Sequence, residues 1–518
     1  MKSYDYIIIG AGSAGCVLAN RLTEDGKHTV LLLEAGGEDH EPYLHIPRAW
    51  RRLFKSEVDW AYKTARQPAL NQRRQFWPRG KVLGGSSSIN AMIYIRGHRW
   101  DYDHWHELGN SGWSFEQVWP YFNKSEHQER GASTYHGKDG PLNVADLRLI
   151  NPLSEAFVAA GEALGWPRNP DFNGATQEGF GFYQVTQKDG QRHSAAGAYL
   201  KPAMKRKNLT VQTRSHVTQL LFEGRRALAV SYLREGQTFV THAKRELILS
   251  AGAINSPQLL LLSGIGPPEM LQALEIPVVH ALPGVGQNLQ DHPVAYVDYE
   301  CTAPISITGW ETATNRAQYE KSRQGVYTSN ITEAGAFIRT DPTLPIPDLQ
   351  FHFTPFHALP IDGHGFSFAP TLLRPQSRGT ITLASPDPFA APIIDPNTLS
   401  SHADQQALIT GVHLSRQLAH TAPFAPYRGR EMEPGGWCRT ESALLEFVRQ
   451  RTGTMYHPVG TCKMGHDNMA VVTPELRVHG MENLRVVDAS IMPTIVGGNT
   501  NAPTIMIAER AADWIRGA

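Results

Sequence analysis

The chain has 518 residues, enough for two or more domains with sizeable cores. Lys plus Arg and Asp plus Glu each number 49 with no basic run, which argues against a nucleic-acid partner and leaves no long-range field to steer a strongly charged substrate. The four cysteines, Cys16, Cys301, Cys438 and Cys462, are scattered without a C-x-x-C, so neither a zinc site nor a disulfide framework is expected.

An apolar run from Tyr4 leaves no room for a signal peptide, and no stretch of about 18 apolar residues predicts a membrane span. A soluble, cytoplasmic protein is expected, with peripheral membrane association left open. Tyr4 to Ile9 reads as a strand, Cys16 to Thr23 as a helix and Thr29 to Leu33 as a second strand. Between them Gly10, Gly12 and Gly15 keep the G-x-G-x-x-G spacing. The first glycine permits a tight turn, the second a close approach of a pyrophosphate, and the third close packing of helix on strand. Free N–H groups at the helix start would face the phosphates. Glu34 closes the second strand, where a carboxylate can hold a ribose hydroxyl.

Glu38 to Arg74 is loop-rich, with Trp60 and Tyr62 placed to cover a nucleotide. Gly80 to Met92 combines Gly84-Gly85 with Ser86-Ser87-Ser88 and Asn90, small and hydrogen-bonding groups suited to backbone lying against a flat ring. Trp105, Trp113, Trp119 and Tyr121 read as packing anchors, and His104 and His106 lack a third ligand for a metal. A helix is predicted from Asn151 to Gly165, entered through Pro152. Leu209 to Thr213, Val217 to Phe222, Leu228 to Leu233 and Phe239 to Ala243 read as an antiparallel meander with turns at Glu223-Gly224 and Glu235-Gly236. Glu246 to Leu249 then runs into Gly252, a second strand-to-helix turn that adds to the first parallel sheet. From Asp291 to Arg451, strand-like runs (Tyr296 to Cys301, Leu349 to Phe353, Thr380 to Ala384) precede helices at His402 to His420 and Glu441 to Arg451. Leu484 to Asp488 is a last strand and Ala502 to Ile515 a closing helix.

The chain resembles the glucose–methanol–choline (GMC) flavoprotein oxidoreductases essentially end to end, nearest the choline-dehydrogenase-like alcohol dehydrogenase branch. Beyond the first glycine turn, the likeness is carried by Gly80 to Asn90, by Gly252 to Gly266, and by Tyr456-His457-Pro458-Val459-Gly460-Thr461 with Gly498-Asn499-Thr500-Asn501-Ala502-Pro503. It implies an α/β fold. A Rossmann-like FAD-binding domain (1–150, 195–290 and 452–518) would be joined to a substrate-binding domain of mainly antiparallel sheet plus helices (151–194 and 291–451). It also implies FAD in the glycine-turn site. Ser13, Ala14 and Ala35 would lie at the nucleotide, and Val82, Gly85, Ser86, Asn90, Ala91, Met92 and Ile93 by the flavin. Val217 would face the adenine, Ala251, Gly252, Asp488 and Ala489 the pyrophosphate or ribityl chain, with Pro503 and Thr504 at the last helix. Some members link a histidine before the signature asparagine to the flavin; Ile89 stands there, so the FAD is expected to be non-covalent.

Oxidising an alcohol needs a base for the hydroxyl proton and a donor to hold the oxygen. His457 is the expected base, since imidazole titrates near working pH, and Asn501 the expected amide. Met455 and Tyr456 are expected to line the pocket. His352, His357, Phe351, Phe353 and Phe356 read equally as substrate-side groups or as a strand packing face. The expected reaction is oxidation of a small-molecule alcohol, primary by preference, to the aldehyde, with electrons passing to a quinone, a dye or O₂. An oxidase releasing H₂O₂ is the near alternative, and an FAD-containing hydroxynitrile lyase the further one. The balanced charge and aromatic-rich second domain favour an uncharged alcohol over choline.

Overall fold

A computed structural model describes residues 3–517. Its first sheet has seven strands. Leu209–Gln212, Val30–Leu33, Ser3–Ile9 and the second half of Gln237–Leu249 run parallel in that order, and Leu484–Val486 adds in parallel beside Leu247 to Leu249. Ile7, Ile8, Val30, Leu31, Leu32, Leu247, Ile248 and Leu249 are fully buried, as expected where helices cover both faces of a parallel sheet. The helix Ser13–Leu22 returns the chain from the first strand to the second, and the closing helix Asn501–Arg516 packs against it. Arg21 seals that contact by donating two 2.8 Å bonds to the buried Glu509 carboxylate, which also accepts from the Tyr199 hydroxyl at 2.8 Å.

Two expectations for this region are corrected. Leu209–Gln212 is not part of the meander: it pairs in parallel with Val30–Leu33, since its alternate apolar residues complete the edge of the buried sheet. The runs at Phe239 and Glu246 are one 13-residue strand, Gln237–Leu249. Its first half pairs antiparallel with Arg226–Arg234, and its second half joins the parallel sheet. His242-Ala243-Lys244-Arg245 holds no turn residue, so nothing breaks the strand there.

The second sheet has eight strands. Arg428–Glu433, Val297–Cys301, Gly365–Leu372, Leu349–Thr354, Ala334–Ile338 and Gly179–Phe182 form an antiparallel series. Pro293–Val294 and Gly453–Thr454 add to it, so the chain just before His457 is tied to this sheet. One face is a phenylalanine core: Phe351, Phe353, Phe366, Phe368 and Phe424 pack against Phe157 of the helix Pro152–Ala163 and against the helix His402–Ala419. Alternation along Leu349–Thr354 sends Phe351 and Phe353 into that core and Gln350 and His352 to the opposite face. Thr380–Thr382 lies outside the large sheet and, among the described residues, forms a two-stranded sheet with Ile393–Asp395.

Where the first helix meets its strand, a Cβ on Gly15 would sit 1.9 Å from the Gly10 carbonyl oxygen, so only hydrogen fits. Gly15→Ala should therefore push helix and strand apart and destabilise the fold by about 1–3 kcal/mol or more, read as a lower denaturant midpoint at unchanged slope.

Candidate active site

One cavity is walled by both sheets. At one end lie the first glycine turn and Glu34; at the other, His457, Asn499 and aromatic side chains. The three glycines behave as their spacing predicts. Gly10 has φ +98°, Gly15 is sealed against the strand, and the nearest atoms to a Cβ on Gly12 would be 4.0 Å away, leaving its backbone open to the cavity. The helix that begins at Ser13 has no side-chain cap and no acidic residue in its first turn, so its N–H groups are free for an anionic ligand. Gly85 abuts this turn, where an added Cβ would meet Gly12 Cα at 2.7 Å, and Gly84 N–H donates to the Ala11 carbonyl at 2.7 Å. The Glu34 carboxylate accepts from Ala11 and Gly36 N–H, both at 2.8 Å, and burial pushes its pKa up.

Of the residues expected at a cofactor, Gly10, Gly12, Ser13, Ala14, Glu34, Ala35, Gly85, Ser86, Asn90, Ala91, Met92, Ile93, Val217, Ala251, Gly252, Asp488, Ala489 and Thr504 line the cavity. Gly15, Val82 and Pro503 do not. Val82 is buried beside Leu44, Leu53 and Ile89, and Pro503 is buried in the first turn of the closing helix. Asn90 is fixed by Arg192, which donates to its Oδ1 at 2.7 Å, and Asn330 holds the Ala91 carbonyl at 3.0 Å. Asp488 accepts from Gly252 N–H at 2.9 Å and from the Ser256 hydroxyl at 2.6 Å, which places it at the start of the helix Gly252–Leu262.

His457 sits on a loop pinned at several points. Asp291 accepts from its N–H at 2.7 Å and from the Thr454 hydroxyl, Arg79 donates to the Tyr456 carbonyl, and Tyr456 adopts φ +63°. The residue is half-buried. Its Nδ1 is 3.0 Å from His292 Nδ1 and its Nε2 is 3.3 Å from Asn499 Nδ2. Burial, reinforced by His292, His352 and Arg79, drives its pKa well below 6.5. Burial likewise lowers His292 and His352 to about 3 each and raises Asp291 to about 6. All three imidazoles are therefore neutral at neutral pH.

The amide beside His457 is Asn499, not the expected Asn501. Asn501 is the first residue of the closing helix, and its Oδ1 is taken by the Ser13 hydroxyl at 2.8 Å. Asn499 follows Gly497-Gly498, where Asp101 accepts from Gly497 N–H at 2.8 Å and an added Cβ on Gly498 would collide with Ile95 at 2.3 Å. Met455, Tyr456, His352 and Phe356 line the cavity, whereas His357 turns to Asp298 and Phe351 and Phe353 to the core. Sequence reasoning passed over Asp291, His292 and Gln350. The unbroken polar run Gln290-Asp291-His292 and a glutamine inside an apolar strand were the available signals.

A glycine-turn nucleotide module joined to a second sheet, with an imidazole and an amide meeting in the shared cavity, defines an oxidoreductase of the nucleotide-cofactor type. Family models described as GMC oxidoreductase match residues 4–294 and 375–508, and the chain belongs to that family. It is 48% identical to an alcohol dehydrogenase [acceptor] of Pseudomonas putida, over 99% of this chain and 95% of that one. It is 45% identical to a mitochondrial choline dehydrogenase of Homo sapiens, over 99% and 90%. Among solved structures, pyridoxine 4-oxidase from Mesorbium loti superposes with a TM-score of 0.91 at 34% identity, covering 99% of each chain. A formate oxidase gives 0.93 at 28% identity, covering 100% of this chain and 98% of that one. No helix among the described residues is long and apolar enough to cross a membrane.

The lowered imidazole pKa values link to stability. His352 stays neutral in the folded state down to about pH 3 while the unfolded chain protonates it near 6.5, so its contribution is complete above 6.5 and is lost on acidification. Between pH 7 and pH 5 the wild type should lose about 2 kcal/mol more stability than His352→Phe, measured by denaturant unfolding at the two pH values.

Proposed function

We propose that this enzyme is an FAD-dependent alcohol dehydrogenase in which His457 and Asn499 act on the substrate hydroxyl. The observation that carries the reading is the convergence of His457 Nε2 and Asn499 Nδ2, 3.3 Å apart, on the cavity lined by the open Gly12 backbone. The residues present fit FAD. Gly12, Ser13 and Ala14 would take the diphosphate, Glu34 and Val217 the adenosine end, and Asn90, Ala91, Met92 and Ala489 the ring end. Ile89 offers no nucleophile for a covalent link. When bound, FAD supplies the two-electron acceptor for the hydride that leaves the carbinol carbon.

The protein's own part is orientation and proton handling. The substrate hydroxyl donates to His457 Nε2 while its oxygen accepts from Asn499 Nδ2, so one oxygen is held at two points. As the C–H bond breaks, the O–H proton passes to Nε2 and the Asn499 N–H stabilises by hydrogen bonding the negative charge that develops on the oxygen. A neutral imidazole is ready for that proton without prior deprotonation.

The substrate end favours an uncharged alcohol over choline. Among the described residues lining the cavity, the only carboxylates are Glu34 and Asp488, both held by backbone N–H groups. Two of the aromatic faces that could receive a quaternary ammonium, Phe356 and Trp50, already face Arg51, whose guanidinium lies 5.0 Å and 6.0 Å from their ring centres.

His457→Ala should keep bound FAD yet slow anaerobic flavin reduction by roughly a hundredfold or more, and Asn499→Ala by roughly tenfold or more, with Asn501→Ala affected less than Asn499→Ala. Equal losses at 499 and 501 would remove Asn499 from its role. In stopped-flow assays, benzyl alcohol should reduce the flavin with at least roughly tenfold higher kcat/KM than choline, and Arg51→Ala should narrow that gap by lowering the KM for choline.

A further inference from the structure

His457 can serve as base through Nε2 only if that nitrogen is unprotonated and the ring proton sits on Nδ1. Resting on the proposed role of His457, we infer that Gln350 and Tyr183, neither of which touches His457, fix this tautomer through a directed chain of hydrogen bonds anchored on the Phe351 carbonyl.

The chain has one sense because its anchor can only accept. The Tyr183 hydroxyl donates to the Phe351 carbonyl oxygen at 2.7 Å, so its proton is committed and its oxygen is left as an acceptor. Burial pushes the Tyr183 pKa far up, so the hydroxyl does not ionise. Gln350 Nε2 donates one hydrogen to that oxygen at 2.9 Å and the other to Asn499 Oδ1 at 3.3 Å. With Oδ1 so engaged, Asn499 presents Nδ2 to His457 Nε2, and a donor there requires a lone pair on Nε2. The ring proton then lies on Nδ1 and is donated to His292 Nδ1 at 3.0 Å.

Two further observations set this chain apart from ordinary polar packing. Gln350 is fully buried and its Oε1 has no partner, so the side chain leaves an acceptor unsatisfied while using both amide hydrogens. Room for the Tyr183 hydroxyl exists only because residue 335 is glycine: a Cβ there would lie 2.0 Å from that oxygen. Gln350 and Tyr183 are thus positioning residues that decide which nitrogen of His457 is basic.

The test reads the tautomer directly. In FAD-bound enzyme labelled with ¹⁵N-histidine, with the His457 signals assigned by their loss in His457→Gln, wild type should show a protonated Nδ1 and a bare Nε2. Gln350→Met, nearly isosteric but without donors, should show a mixture of the two forms. Its limiting rate of anaerobic flavin reduction should fall roughly tenfold, with the alcohol dissociation constant and FAD content unchanged. Wild type with the proton on Nε2, or Gln350→Met with the wild-type tautomer and a rate within about twofold of wild type, would overturn the inference. Should Gln350→Met not fold, Tyr183→Phe is read by the same two signals: mixed tautomers support the chain and an unchanged tautomer defeats it. The tautomer is measured without substrate. A wild type with bare Nε2 whose flavin no alcohol reduces would refute the proposed function and leave the chain standing.

Discussion

The site depends on keeping one half-buried imidazole uncharged. His457 is partly shielded from water, faces two other neutral imidazoles and lies near the Arg79 guanidinium, so adding a proton to the resting ring is unfavourable. That keeps the ring a hydrogen-bond acceptor, the state its proposed role as base requires. The loop that carries it is held by Asp291, Thr454 and Arg79 rather than by regular secondary structure, and Tyr456 is kept in the left-handed region. Such a conformation persists only where its surroundings over-determine it.

The two sheets divide the labour around that ring. The parallel sheet ends in two glycine turns and uncapped backbone, a surface suited to a diphosphate and a flat ring. The antiparallel sheet gives one face to a phenylalanine core and the other to the cavity, so Gln350 and His352 are placed by rigid strand geometry rather than by a flexible loop. Gly453–Thr454 belongs to the second sheet while Leu484–Val486 belongs to the first, so the chain that carries His457 bridges them. A shift of one sheet against the other would pull His457 away from Asn499.

Most of the scaffold was legible in the sequence because its signals are local. The Tyr4–Glu34 unit, the turn at Gly252 and the helix Glu441–Arg451 follow from apolar runs, glycine spacing and caps. The strand pairings were less so: Leu209–Gln212 looks like any short strand, and only the open edge beside Val30–Leu33 makes it parallel. The site was half legible. His457 stands in a recognisable segment, whereas choosing between Asn499 and Asn501 depends on which asparagine the helix start turns toward Ser13. Gln350, Tyr183 and His292 carry no local pattern, because their importance arises from contacts between residues more than 140 positions apart.

The most direct test of a base that is neutral at rest is the pH dependence of the limiting rate of anaerobic flavin reduction by a saturating alcohol. The rate constant should be level from about pH 6 to pH 9, because His457 carries no proton to lose in that range. A rate that climbs through an ordinary histidine titration near 6.5 would contradict the account.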